Sequence, residues 1–596
     1  MYRKAARGVI LPQVGAQVCV RGRPRLRGRR SPPEESGSRL NYMASSRPWF
    51  CHSIHGWLLH YPAMNFRTRL ISAVLLFCLL APVLALASAY NARPKLVVVI
   101  IIDQFRGDYL QRYYDQFGSS GFRLLMDHGA DFTDCNYDYA NTRTAPGHAT
   151  LLTGAYSNGH GIFSNEWWDP EKKREVTAVE DDGTRLLGAS GVGASPHRLL
   201  ASTLGDELKL ATQGKARVFG IALKDRAAIL PAGWAANGAY WVDEDTGAWL
   251  SSTYYQNQLP GWVQQFNQGA ADKYWNREWK DSSGNVLFNT ARKPGAKFFS
   301  VIGSTPFAND YELEFARALI THEKLGSGPA TDLLTIGLSA NDMLGHAVGP
   351  DSPKMRAMAL AMDQQLAGFF DFLGKQFGLA NVWIALSADH GVAPLPTVAK
   401  AMRIPATGLS NAQLRQQINA ALTARLSPGH PRDFVPDLSY PIAFVSPSAF
   451  SAVHMKEAAA EQAVGEAMEG IGLRGFFTRS QLASGQAPAT KLGRQYLRSY
   501  SPYGGWYVLG VPPPFTIGST HGTDHGSPYT YDTHVPLAFY GNVFQPGVYH
   551  QPVEPVDLAP TLASLLGINA PTSAVGHVLS EAIAHQHIET PAEVTP

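Results

Sequence analysis

Ten residues, Asn141 to Thr150 (NTRTAPGHAT), put a hydroxyl where a helix is about to begin. Pro146 suits a first helical turn, because the N–H it lacks has no partner there anyway. His148 to Leu152 can carry the helix to Gly154, a residue type that ends helices well. Thr144 then stands at or beside the N-cap, its oxygen facing unpaired backbone N–H groups and the positive end of the helix dipole. Such a place cradles a phosphate and favours a hydroxyl that must ionise. Three other stretches offer metal-binding side chains. Asp342-Met-Leu-Gly-His346 is a carboxylate and an imidazole at i, i+4, which a helical turn points to one side. Asp389-His390 lies in the turn Ser-Ala-Asp-His-Gly, and His521 and His525 share a glycine-rich loop. Carboxylates with imidazoles and no thiolate suit zinc better than manganese or iron. With Asp103 they are enough for two metals roughly 4 Å apart, a geometry that activates a nucleophile and stabilises a leaving oxygen.

These residues need elements to hold them. Lys95 to Ile102 is a continuous β-branched run that ends in Asp103. Such a run reads as a central parallel strand buried on both faces, with Asp103 at its carboxyl end, where open α/β sheets bind ligands. Three more apolar runs end in ionisable residues: 217–223 before Lys224, 333–339 before Asp342, and 382–387 before Asp389. Helices are expected over 109–128, 354–377 and 557–566, and a further strand over 535–540. The pattern is that of one α/β domain with its site along the strand ends. The stretches 160–215, 232–325 and 395–515 are rich in Gly, Pro, Trp and Tyr and weakly periodic, and they read as insertions forming a cap.

The ends differ from the middle. Residues 1–63 carry the basic run RGRPRLRGRR and show no helical or strand period, whereas Met64 begins a basic start, an apolar run over 70–86 and an Ala-Ser-Ala site. Residues 64–89 therefore read as a secretory signal peptide cleaved before Tyr90, and 1–63 as an upstream over-extension of the reading frame. The mature chain is then a catalytic domain over 90–584 with a loose tail over 585–596. Residues 1–89 hold 13 of the 51 Lys+Arg and two of the 48 Asp+Glu, so the remainder carries a net charge of about −8. That removes the compositional support for nucleic-acid binding. Of four cysteines only Cys135 lies beyond residue 89, so no internal disulfide is expected. The implied setting is periplasmic or secreted, with no membrane attachment after cleavage.

The ordered set Asp103, Thr144, Asp342-x-x-x-His346, Asp389-His390 and His525 resembles the alkaline phosphatase superfamily. More narrowly it is similar to the phosphate-irrepressible, threonine-nucleophile alkaline phosphatases (PafA type), whose pattern also fits DQFRGDYL at 103–110, LKDRAAILPAG at 223–233 and HGSPYTYDTHVP at 525–536. The resemblance runs from about Lys95 to about Gly567. It implies an alkaline-phosphatase-like fold, with a mostly parallel central sheet flanked by helices. It implies two Zn2+, one on Asp342, His346 and His525, the other on Asp103, Asp389 and His390 with Thr144 as nucleophile. Asn165, Lys224 and Arg226 match the family's phosphate clamp. Hydrolysis of small phosphate monoesters by a monomer, through a phosphothreonine, follows as the expectation. The alternative is a nucleotide pyrophosphatase/phosphodiesterase of the same superfamily, which lacks the Lys-x-Arg pair. A sulfatase would need Cys or Ser at position 144. His521 is the rival to His525 as ligand, and His148, His160 and His534 are expected to support structure.

Overall fold

The computed structural model describes residues 93–584; the upstream extension, the signal peptide and the tail expected from the sequence lie outside the described residues. Eleven strands form the main sheet: β1 (Leu96–Ile102), β2 (Ala130–Asn136), β3 (Glu180–Leu187), β4 (Val192–Ala194), β5 (Val218–Ile221), β6 (Gly238–Val242), β7 (Trp249–Ser252), β8 (Asp332–Leu338), β9 (Val382–Ser387), β10 (His534–Tyr540) and β11 (Gly547–Tyr549). Their spatial order is β11-β2-β10-β9-β1-β8-β5-β6-β7-β3-β4. The five strands β9-β1-β8-β5-β6 are all parallel, and β10 and β7 join this centre antiparallel on its two sides. The sheet is thus mixed around a parallel centre.

β1 is Leu-Val-Val-Val-Ile-Ile-Ile, every residue fully buried, as a strand covered on both faces requires. Its register sets the geometry of everything at the carboxyl edge. Ile102 pairs with Leu338 of β8 and Ile101 with Ser387 of β9, so the chain beyond each strand, at Asp103, Ser339–Asp342 and Asp389, emerges side by side. Ile336 of β8 pairs with Ile221 of β5, which brings Lys224 to the same edge. β10 runs against β9, so its amino end, with the loop carrying His525, arrives there too. Four helices matter most: α1 (Thr144–Thr153), α2 (Asp225–Ala232), α3 (Ala340–Val348) and α4 (Pro353–Phe377). α1 packs against α2, and α4 is the crossover between β8 and β9.

Two expectations change. The helix over 109–128 is broken into Tyr109–Arg112, a 3-10 turn Tyr114–Gln116 and Phe122–His128. The break is made by Asp363 of α4, whose carboxylate accepts 2.8 Å bonds from the N–H groups of Gly118 and Phe122. The stretches 160–215 and 232–325 also extend the main sheet, supplying β3, β4, β6 and β7. Within 395–515 a separate four-stranded sheet (Asp437–Ser439, Ile442–Val445, Trp506–Gly510, Phe476–Thr478) packs with helices Asn411–Leu426 and Glu457–Gly470 around its own apolar cluster.

Gly147 locks α1 to the sheet edge, because a Cβ there would lie 2.6 Å from the Asp389 Cβ and collide with its carbonyl. Gly147→Ala is therefore expected to destabilise the fold by about 1–3 kcal/mol, read as a lower urea midpoint at unchanged slope. Gly261→Ala, where the methyl meets open space, should stay within about 0.5 kcal/mol of the wild type.

Candidate active site

α1 begins at Thr144, with Arg143 as the extended N-cap residue and Gly154 closing it in the left-handed conformation (φ 62°). Thr144 is buried. The next backbone N–H, of Ala145, donates to Asn165 Oδ1 at 2.8 Å, so Asn165 sits over the first turn. His148, one turn on, places Nδ1 2.9 Å from the Thr144 carbonyl and 3.1 Å from Asp389 Oδ2.

Beside this helix start lie the carboxylates. Asp342 Oδ1 is 3.1 Å from His346 Nε2 and 3.9 Å from His525 Nε2. His390 Nε2 is 3.5 Å from Asp103 Oδ1 and 3.6 Å from Asp389 Oδ2. The rings of His390 and His525 stack with centroids 3.7 Å apart. Lys224 Nζ bridges Asp103 Oδ2 and Asp342 Oδ2, at 2.6 Å each. Arg226, two residues on in the first turn of α2, has a buried Nε without a partner and faces Asp225 at 3.7 Å. Asp103, Asp342, His346, Asp389, His390 and His525 therefore gather at one locus with Lys224, and Thr144, Asn165 and Arg226 lie at the helix starts beside it. His521 is exposed and bonds Thr520 Oγ1, away from the carboxylates. His160 and His534 bond Thr150 Oγ1 and the Thr133 carbonyl. A groove of about 850 Å3 between the α4 face and the 279–283 turn lies elsewhere.

The donor set fits metal ions. His346, His390 and His525 each point Nδ1 at a backbone carbonyl, of Thr523 (2.9 Å), Gly391 (2.9 Å) and Thr142 (2.7 Å). A carbonyl only accepts, so each Nδ1 carries a proton and each Nε2 is turned toward the carboxylates, the orientation found in metal-bound imidazoles. His390 Nε2 and Asp103 Oδ1 are buried without hydrogen-bond partners. Two groups converge with ligand atoms within 4.8 Å of one another: Asp342, His346 and His525, and Asp103, Asp342 and His390. Asp342 stands in both, and Asp389 flanks the second.

The electrostatics agree. Burial, then the charges of Asp342 and Asp389, push the Asp103 carboxyl well above its ordinary range. Burial would also raise Asp342, but Lys224 and His346 outweigh it and hold it well below. Burial disfavours a charged His346, yet the Asp342 carboxylate pushes its pKa up to about 10. Burial and the neighbouring His390 and His346 keep His525 neutral. The lone pair that a proton takes on His346 is the one a divalent cation competes for.

Two supporting residues were not legible in the sequence. Gln104 occupies a left-handed conformation (φ 62°) and bonds both Asp389 and Asp342. Glu312, fully buried, accepts from the Leu223 N–H at 2.7 Å and steadies the turn before Lys224.

A family model described as type I phosphodiesterase / nucleotide pyrophosphatase matches residues 97–464. A protein of Myroides odoratus described as a calcium-transporting ATPase is 32% identical over 87% of this chain and 100% of its own length. Among the described residues no helix is long and apolar enough to cross a membrane. Alkaline phosphatase PafA of Elizabethkingia meningoseptica is 32% identical over 82% of this chain and 95% of its own. The crystal structure of wild-type PafA superposes with a TM-score of 0.75 at 31% identity, covering 83% of this chain and 99% of that one. A PafA variant altered at one Thr, one Asn, one Lys and one Arg superposes equally well, with a TM-score of 0.75 at 30% identity over the same shares of both chains. The chain belongs to the type I phosphodiesterase / nucleotide pyrophosphatase family and, within the alkaline phosphatase superfamily, stands with the PafA-type alkaline phosphatases.

Proposed function

We propose that the protein is an alkaline phosphatase that hydrolyses small phosphate monoesters through a phosphothreonine at Thr144, with two Zn2+ at the site. It works as a monomer in the periplasm or outside the cell, after loss of a signal peptide. The observation that carries this reading is the convergence of three inward-turned imidazole Nε2 atoms and three buried carboxylates beside the start of α1. Asp342, His346 and His525 would hold one zinc, and Asp103, Asp389 and His390 the other. Bound zinc would lower the pKa of the Thr144 hydroxyl and stabilise the charge on the leaving oxygen.

The chain's own residues do the rest. Thr144 Oγ1 loses its proton and bonds to phosphorus as the ester P–O bond breaks and the alcohol departs with a proton. Water then cleaves the phosphothreonine, releasing inorganic phosphate and restoring the hydroxyl. α1 aims its positive end at the transferring group. Asn165, tied by its oxygen to Ala145 N, is placed to turn its amide toward a phosphate oxygen. Lys224 is a point charge on a flexible stem, able to swing between the carboxylates and a phosphate, and Arg226 offers a planar fork. Those two cations favour the dianionic monoester over a diester. The PafA variant supports the set, since its altered Thr, Asn, Lys and Arg follow the order of Thr144, Asn165, Lys224 and Arg226, with one residue between the last two in both chains.

Thr144→Ala should abolish turnover of p-nitrophenyl phosphate while leaving metal content near two per chain; surviving activity would remove Thr144 from the mechanism. Lys224→Ala and Arg226→Ala should each cost about 2–4 kcal/mol of transition-state binding with the monoester and much less with its bis-ester, compared as kcat/KM. Equal losses on both esters would favour the phosphodiesterase reading.

A further inference from the structure

We propose that Gln104 is the positioning residue that ties the two ligand groups together, its backbone N–H orienting Asp389 and its side-chain amide orienting Asp342. The inference rests on the two-metal reading above. Gln104 follows Asp103 directly and is itself buried. It is a non-glycine residue at φ 62°, a conformation that side chains avoid unless the surroundings impose it. That conformation turns its N–H to Asp389 Oδ1 at 3.0 Å. Its amide Nε2 donates to Asp342 Oδ1 at 2.7 Å, a short bond to a charged acceptor. The opposite amide orientation would set two oxygens against each other, so the carboxylate fixes which way the amide points. Oε1 is then left buried without a partner, directed at Gly345, where an added Cβ would collide with it. The glycine of Asp342-Met-Leu-Gly-His346 is therefore the space that Gln104 needs.

The consequence is directional. Asp342 Oδ1 has one lone pair on the Gln104 amide, and the other is turned toward His346 and His525. An outer hydrogen bond of this kind orients a ligand and raises metal affinity. A side chain that merely filled the volume would do neither.

The test strips the full-length protein of metal and titrates zinc back against a competing chelator. Gln104→Met keeps the volume and the backbone donor but has no amide. It should bind one equivalent about 10–100-fold more weakly, the equivalent that His346→Ala also removes, and leave the other unchanged. Gly345→Ala should weaken the same equivalent in the wild-type background but add nothing in Gln104→Gly, where no Oε1 remains to be struck. Unchanged zinc binding in Gln104→Met, equal weakening of both equivalents, or a Gly345→Ala effect that persists in Gln104→Gly would overturn the assignment. A wild-type protein that takes up no tight zinc would overturn the two-metal reading and this inference together, whereas the other failures strike this inference alone.

Discussion

Mutual repulsion among three buried carboxylates is the constraint on which this structure turns. Asp103, Asp342 and Asp389 are brought together because β9, β1 and β8 run parallel and in register, so their ends cannot separate without breaking the centre of the sheet. Apolar burial of seven consecutive β1 residues fixes that register, and the charges must accept the positions it dictates. Like charges removed from water are tolerable only when cations meet them. Lys224 and His346 do so in part, which is why Asp342 is held ionised while Asp103 is driven toward its neutral form. The same concentration of carboxylates and inward-turned imidazoles is what a pair of metal ions would meet.

How much of this could be read in advance depended on how local the cause was. The β-branched run 96–102 and the Thr-Ala-Pro-Gly start of α1 announce themselves, because burial and helix capping act over a few residues. The i, i+4 spacing of Asp342 and His346 survives as an ion pair on α3 for the same reason. Causes that act at long range stayed hidden. The helix expected over 109–128 fails because Asp363, on a distant helix, takes two of its N–H groups. His521 and His525 share one glycine-rich loop and are separated only by burial, which depends on where β10 enters the sheet. β6 and β7 lie in stretches that mix aromatics with Gly and short polar turns, so their membership of the main sheet is visible only through their partners. Gln104 could not be anticipated, since its left-handed backbone and its bonds to Asp389 and Asp342 join residues far apart in the chain.

The cap is not an independent lid on this arrangement. Three consecutive residues at the mouth are bound in three directions. The Thr142 carbonyl accepts from the His525 ring, and Thr142 Oγ1 donates to the Ser527 carbonyl, tying the residue to the loop that carries His525. The Arg143 guanidinium donates to Ser439 Oγ (3.1 Å) and to the carbonyls of Ser439 and Tyr440 (3.2 and 2.7 Å), tying it to the cap. Thr144 opens α1. A peptide unit transmits displacement with little slack, since only φ and ψ are soft. A shift of the cap strand Asp437–Ser439 is therefore felt one residue from Thr144, and a shift of His525 two residues from it. The cap and the start of α1 are coupled through the backbone itself, so sequence changes in the cap that reseat Ser439 or Tyr440 also move Arg143 and, with it, Thr144.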